Sequence, residues 1–168
     1  ENRINAIHEG TNGIQAMDLL GRKLISDKGR LFALLTTRVE KTLASAHQIE
    51  ALKPLADVLQ IRWAKFLPAL KQVATVFEND AELALANAYL LLDAMGHAVV
   101  AWLWLDQAVC AEGLLAQADL SESRRNLLKG KIVAAQYFIT WELPTKDSLL
   151  ERFEAVDPLC RDVDTEVL

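Results

Sequence analysis

The longest apolar stretch of the chain, residues 82–112, reads ELALANAYLLLDAMGHAVVAWLWLDQAVCAE. Asn87, Asp93, His97 and Asp106 interrupt it, and such side chains are costly in a lipid bilayer unless they are paired or face a cavity. The stretch therefore predicts a long buried helix of a helical bundle, and no transmembrane segment.

Local signals and periodicity predict the remaining helices. Asn79, followed three residues later by Glu82, can cap the long helix, and Gly113 is expected to stop it near Glu112. Apolar residues spaced three or four apart predict further helices on both sides. These run from Ile14 to about Gly29, from Leu31 to about Pro54, from Leu55 to Phe77 with a kink at Pro68, from Ser121 to Leu143, and around Leu149–Phe153. No segment alternates as a half-buried strand does, so the predicted fold is all-α, an up-and-down bundle of about five to six helices.

Composition narrows the classes of function. The net charge of −5 gives no electrostatic reason to expect a nucleic acid or an anionic membrane as partner. The two cysteines, Cys110 and Cys160, are far apart and lack metal-type spacing, which favours a reduced, cytoplasmic protein with no metal site and no disulfide framework. Cys110 is interpreted as a small packing residue. His97 is expected to bond Asp93 one turn earlier rather than a metal.

A polar turn precedes the first predicted helix. Residues 7–16 read IHEGTNGIQA, which places a carboxylate, Glu9, beside two glycines and two side chains that favour helix starts. On spacing alone, a plain polar turn is the favoured interpretation of this segment, ahead of a functional site.

The exact amino-acid sequence of this segment is more informative than the spacing of its residues. Residues 7–16, continued by LLGRK at residues 19–23, closely resemble the stretch of acyl-CoA dehydrogenases that contains their catalytic glutamate, although His8 stands where that family usually has Tyr. The rest of the chain resembles the extra helical domain of a bacterial subgroup that includes 3-methylmercaptopropionyl-CoA dehydrogenases. Residues 134–138, AAQYF, support that second likeness.

This resemblance implies a site. Glu9 matches the base that removes the α-proton of an acyl-CoA thioester, and Gly10 matches the position against the bound substrate. Thr11, Asn12 and Gly13 match residues that contact FAD. The family transfers the β-hydrogen to the flavin and passes electrons to an electron-transferring flavoprotein.

The resemblance also implies an organisation. Residues 1–27 would be the end of the dehydrogenase core, and residues 30–168 an appended helical bundle that packs on the core or joins subunits of a homo-oligomer. The fragment alone is expected to be inactive. Two alternatives stay open: a fragment of an acyl-CoA oxidase, which returns electrons to oxygen, and a non-catalytic helical interaction module.

Overall fold

The computed structural model describes residues 11–164 and residue 166, and these residues contain helices but no strand. The predicted all-α bundle is therefore confirmed. The helices are α1 (Asn12–Met17), continued by a π-helical segment (Asp18–Ile25), α2 (Arg30–His47), α3 (Lys53–Ala64), α4 (Phe66–Asn79), α5 (Ala81–Ala86), α6 (Ala88–Leu115), α7 (Glu122–Tyr137), α8 (Asp147–Ala155) and α9 (Leu159–Asp162). A π-helical turn (Phe138–Glu142) and a 3-10 turn (Leu143–Lys146) connect α7 directly to α8.

Helix α6 is the centre of the bundle, because α1, α2, α3, α7 and α8 all pack against it. By length and composition it is the one helix, among the described residues, that could cross a membrane. A core helix of a soluble protein has the same properties, and α6 buries a stripe of small and apolar side chains against its neighbours. Its buried residues are Ala88, Leu91, Ala94, Met95, Ala98, Ala101, Leu105, Ala108 and Ala111. The alanines let the neighbouring helices approach closely.

Two hydrogen bonds between α2 and α6 fix the register of these helices. Thr42, a buried polar residue of α2, donates from Oγ1 to Asp106 Oδ1 at 2.9 Å and accepts from Trp102 Nε1 at 2.9 Å. Both partners lie on α6, one turn apart. Because a buried hydroxyl without a partner costs about 1–3 kcal/mol, this arrangement favours one register of the two helices over others.

The two prolines predicted to interrupt helices, Pro54 and Pro68, do not lie at the interruptions that the structure shows. Pro54 lies in the first turn of α3 rather than at the end of α2, which already ends at His47, because a helix start needs no N–H from proline. The single helix with a kink at Pro68 that the sequence predicted is instead two helices, α3 and α4, separated at Lys65, three residues before the proline. Proline has no N–H to donate to the carbonyl four residues earlier, and its ring clashes with that carbonyl. For Pro68 this is the carbonyl of Ala64, the last residue of α3.

The predicted limits of the long helix are wrong at both ends. Asp80, not Asn79, is the capping residue, and its Oδ1 accepts the Leu83 N–H at 2.9 Å. Asn79 instead donates to the Thr75 carbonyl, inside α4. At the other end, α6 continues through Gly113 to Leu115, because a glycine in a helix lowers its stability without requiring an end.

The predicted helix is also interrupted near its start. Asn87 separates α5 from α6, and its side-chain amide donates to the Asp157 carbonyl at 2.9 Å. Nearby, Arg161 of α9 pairs with Asp80, so the cap of α5 also holds the last helix. These contacts join residues that are 70 and 81 positions apart, which no local pattern reports.

The central position of α6 predicts unequal costs for two leucines on that helix. Leu105 is fully buried, whereas Leu103 is 45% exposed. Leu105→Ala should lower the free energy of unfolding by about 2–5 kcal/mol, since it leaves a cavity, and Leu103→Ala should cost less than about 1 kcal/mol. Chemical denaturation of both variants measures the difference. Equal losses would contradict a bundle centred on α6.

Candidate functional site at the start of α1

The predicted site residues fall on both sides of the point where the described structure begins. Glu9 and Gly10 lie outside the described residues, as does His8. Thr11, Asn12 and Gly13 lie at the start of α1, with Asn12 and Gly13 exposed. The structure thus places three of the five predicted residues together.

The N-terminus of α1 begins with a helical rather than an extended backbone at Thr11, with φ −95° and ψ 0°, and it has no side-chain cap. The expectation that Thr11 or Asn12 caps this helix is therefore wrong. The first backbone bond runs from the Gln15 N–H to the Thr11 carbonyl at 3.0 Å.

Asn12 lies at the edge of a shallow depression on the outer face of α6, named here the Asn12 hollow. It measures about 410 Å³. Its lining combines Asn12 with Tyr89, Leu92, Gly96 and Val100 of α6 and with Phe138, which follows α7. A side chain added at Gly13 would meet no atom of the described residues within 4 Å.

A charged cluster borders the Asn12 hollow. His97 Nδ1 lies 3.0 Å from Asp93 Oδ1 and 2.9 Å from the Asp93 carbonyl, which confirms the predicted bond within α6. Lys146 Nζ reaches the other Asp93 oxygen at 3.0 Å, and the Phe138 ring stacks on His97 at 6.1 Å. Spacing identified the Asp93–His97 pair, but Lys146 is 53 residues away and has no local signal.

The helix that follows the candidate site has its own charge pairing. Asp18, at the start of the π-helical segment, accepts hydrogen bonds from Arg22 and pairs with Lys23 at 3.2 Å. The bond from Arg22, followed by that from Lys23, lowers the pKa of Asp18 from 3.8 to about 2. The stabilising effect of this carboxylate is thus present above its unfolded pKa and disappears as the pH falls through about 2.

Other histidine, tryptophan and cysteine side chains lie away from the start of α1. His47 Nε2 lies 2.9 Å from Asp57 Oδ1, and within the described residues no three His, Cys, Asp or Glu side chains could hold a metal ion together. Trp102 and Trp104 pack on the core, and Lys131 lies 5.2 Å from the Trp104 ring. Cys110 is exposed, so its interpretation as a packing residue is wrong. It lies on the side of α6 that faces away from the buried alanines.

The structure is thus a helical bundle in which the polar residues at the start of α1 lie beside the Asn12 hollow. A family profile described as "acetyl-CoA dehydrogenase C-terminal like" matches residues 35–164. The chain therefore belongs to this family. The match covers α2 to α9 except for the first turn of α2, whereas the site residues precede it.

Full-length relatives agree with this assignment. The chain is 25% identical, over 99% of its length, to a butyryl-CoA dehydrogenase of Syntrophomonas wolfei, and 27% identical, over 92%, to a broad-specificity linear acyl-CoA dehydrogenase of Mycobacterium tuberculosis. It is 32% identical, over 81%, to a 3-methylmercaptopropionyl-CoA dehydrogenase of Ruegeria pomeroyi. These relatives confirm the resemblance to acyl-CoA dehydrogenases. The chain spans about a quarter of their length, namely 27%, 26% and 23%.

The pairing of Asp18 predicts a specific titration. Replacing both partners, Arg22→Gln with Lys23→Gln, should raise the pKa of Asp18 toward 3.8, because the donors that favour the carboxylate are lost. Carboxyl-carbon NMR as a function of pH measures it. The control, Arg38→Gln with Lys41→Gln, changes two exposed charges on α2 and should leave the midpoint in place. An unshifted midpoint in the first variant would refute the pairing.

Proposed function

We propose that this chain is the C-terminal part of an FAD-dependent acyl-CoA dehydrogenase that converts an acyl-CoA to the 2,3-enoyl-CoA. The observation that carries the proposal is the match over nearly the whole chain to three relatives named as acyl-CoA dehydrogenases. The resemblance of residues 7–16, which include Glu9, to the glutamate-containing stretch of acyl-CoA dehydrogenases also supports it. Residues 1–27 would belong to the catalytic core of the enzyme and residues 30–168 to the appended bundle.

Packing of the first helix suggests what the bundle does for the site. Ala16, Leu20 and Leu24, which follow the site residues, are all buried in the same core as α2 to α8. The turn at residues 26–29 then reverses the chain, with Lys28 and Gly29 both at positive φ. Because the helix is anchored on one side only, its exposed start can face a dehydrogenase core while the bundle holds it in place.

Glu9 would act as the base. Its carboxylate would take the α-proton of the thioester, and a water-free site would raise its pKa and hence its basicity. Such assistance is commonly worth about 10²–10⁴ in rate. Gly10 would leave room for the substrate, since it has no side chain to obstruct close approach.

The start of α1 fits a cofactor with polar groups. Asn12 and Gly13 are exposed at the start of α1. Thr11, Asn12 and Gly13 would hold FAD there through hydroxyl, amide and backbone donors. When bound, FAD supplies the chemistry of accepting the β-hydrogen as hydride.

The proposal extends to partners and setting. Acyl-CoA is the substrate class, an electron-transferring flavoprotein is the acceptor, and the enzyme is a cytoplasmic homo-oligomer. An acyl-CoA oxidase would share Glu9 but return electrons to oxygen. Exposing the anaerobically reduced enzyme to oxygen separates the two, because rapid reoxidation would identify the oxidase.

Glu9→Gln tests the proposed base in the complete polypeptide. The variant should keep FAD and acyl-CoA binding but reduce the flavin at least about 10²-fold more slowly, because the amide cannot take the proton. Stopped-flow absorbance under anaerobic conditions gives the rate, and equilibrium titration gives the binding. Glu78→Gln, at an exposed position near the end of α4, is the matched control and should react at the normal rate.

Two outcomes would remove the proposal. An unchanged flavin reduction rate in the Glu9→Gln variant would exclude Glu9 as the base. A coding sequence without a flavin-binding core before Glu1 would favour the non-catalytic helical module instead.

A further inference from the structure

A second cavity lies away from the start of α1, between α2 on one side and α3 and α4 on the other. We name it the Trp63 groove. It measures about 690 Å³, within the usual range of small-molecule sites. Its apolar lining includes Leu24, Phe32, Leu43, Trp63, Leu67 and Leu70. No residue of the Asn12 hollow contributes to it.

Stacked aromatic rings form the middle of the groove wall. Phe32 and Trp63 lie parallel, with ring centroids 5.8 Å apart and an interplanar angle of 6°, and Phe66 packs against Trp63 at 5.7 Å. The indole N–H of Trp63 donates to Thr36 Oγ1 at 3.1 Å. Because the protein itself satisfies this polar group, the wall offers an apolar surface that needs no hydrogen bond from an occupant.

The charges of the lining are separated along the groove. Lys28 lies just before α2, about one turn before Phe32, and Lys71 lies on α4, about two turns after Trp63. Because α2 and α3 pack on each other across the short connection at residues 48–52, they run in opposite directions, and both lysines lie on the same side of the stacked rings. On the other side, Glu40 lies two turns after Phe32. Helix α2 measures roughly 15 Å from Arg30, its first residue, to Glu40, since a helix rises about 1.5 Å per residue.

The cationic end is available to a ligand. Neither Lys28 nor Lys71 forms an ion pair with another residue that the structure describes. A long apolar groove with two such lysines at one end and a carboxylate at the other complements a molecule with one anionic head and one apolar tail. A ligand with charges at both ends would meet Glu40, and a neutral apolar ligand would leave the lysines unused.

We propose that the Trp63 groove binds one single-chain alkyl carboxylate, with its headgroup between Lys28 and Lys71 and its chain along Trp63 toward Leu43. An extended alkyl chain of ten carbons is shorter than the roughly 15 Å of α2 between Arg30 and Glu40, so it fits along the groove before it reaches Glu40. Each added methylene that is buried should tighten binding about three- to fourfold. This site does not involve Glu9 or the start of α1.

Decanoate, below its micellar concentration, is the test ligand for the 168-residue chain. Isothermal titration calorimetry should give one site per chain, with octanoate bound about tenfold more weakly because two methylenes are lost. Ala33 lines the groove from an exposed position on α2, so Ala33→Phe should fill it and weaken decanoate binding at least tenfold. Ala44→Phe is the matched control, because Ala44 is exposed on the same helix and does not line the groove.

The headgroup is tested separately. Lys28→Gln combined with Lys71→Gln should weaken decanoate binding about three- to tenfold, as expected for exposed charges, without changing the binding of decan-1-ol. Lys41→Gln with Lys129→Gln removes two exposed lysines outside the groove and should change neither. Thermal melting of each variant checks that it is folded, and quenching of tryptophan fluorescence gives a second measure of binding.

Three results would overturn the proposal. The first is no decanoate binding at millimolar concentration, and the second is equal affinity in Ala33→Phe and Ala44→Phe. The third is self-association that Ala33→Phe abolishes while decanoate has no effect, which would make the groove a contact between copies of the chain. None of these results bears on flavin reduction, so the proposed dehydrogenase function is tested independently.

Discussion

The structure depends on the burial of α6. This helix of 28 residues is apolar on nearly all sides, and a helix of that kind must be covered by neighbours rather than lie on a surface. Five other helices cover its alanine-rich side, while Tyr89, Val100 and Leu103 stay partly exposed on its outer face. The alanine-rich stripe sets how closely they approach, and Thr42 sets the register of α2 through Trp102 and Asp106. Once these contacts form, the positions of α1 and α8 follow from the sides of α6 that remain.

This arrangement relates the bundle to the proposed site. The helix that follows Thr11, Asn12 and Gly13 is anchored by Leu20 and Leu24, so the site residues project from a packed element rather than from a loose tail. Catalytic residues need that kind of support, because small misplacements cost large factors in rate. Under the proposed function, the appended bundle therefore supports the active site without contributing a reacting group.

The sequence predicted the helical class and most of the elements because apolar residues at helical spacing report which face is buried. It missed features that depend on distant partners. Asp80 rather than Asn79 caps α5, and Arg161, far along the chain, binds the same carboxylate. Asn87 divides the long apolar stretch, with the Asp157 carbonyl accepting from its side chain. Lys146 joins the Asp93–His97 pair beside the Asn12 hollow. Each of these contacts is made only when the bundle is assembled, so no local pattern contains it.

Cys110 was misjudged for a related reason, since an apolar stretch does not reveal which of its sides stays exposed.

The resemblance that points to Glu9 covers about two dozen residues, whereas the family match covers residues 35–164. Under the proposed function, the segment around Glu9 and the bundle are parts of one flavin enzyme. The most direct test is an anaerobic titration of the purified complete polypeptide with straight-chain acyl-CoA thioesters, followed by the absorbance of the flavin. The account predicts a yellow protein whose flavin absorbance is lost on adding a suitable thioester. A colourless protein, or a flavin spectrum that no thioester in the series changes, would contradict it.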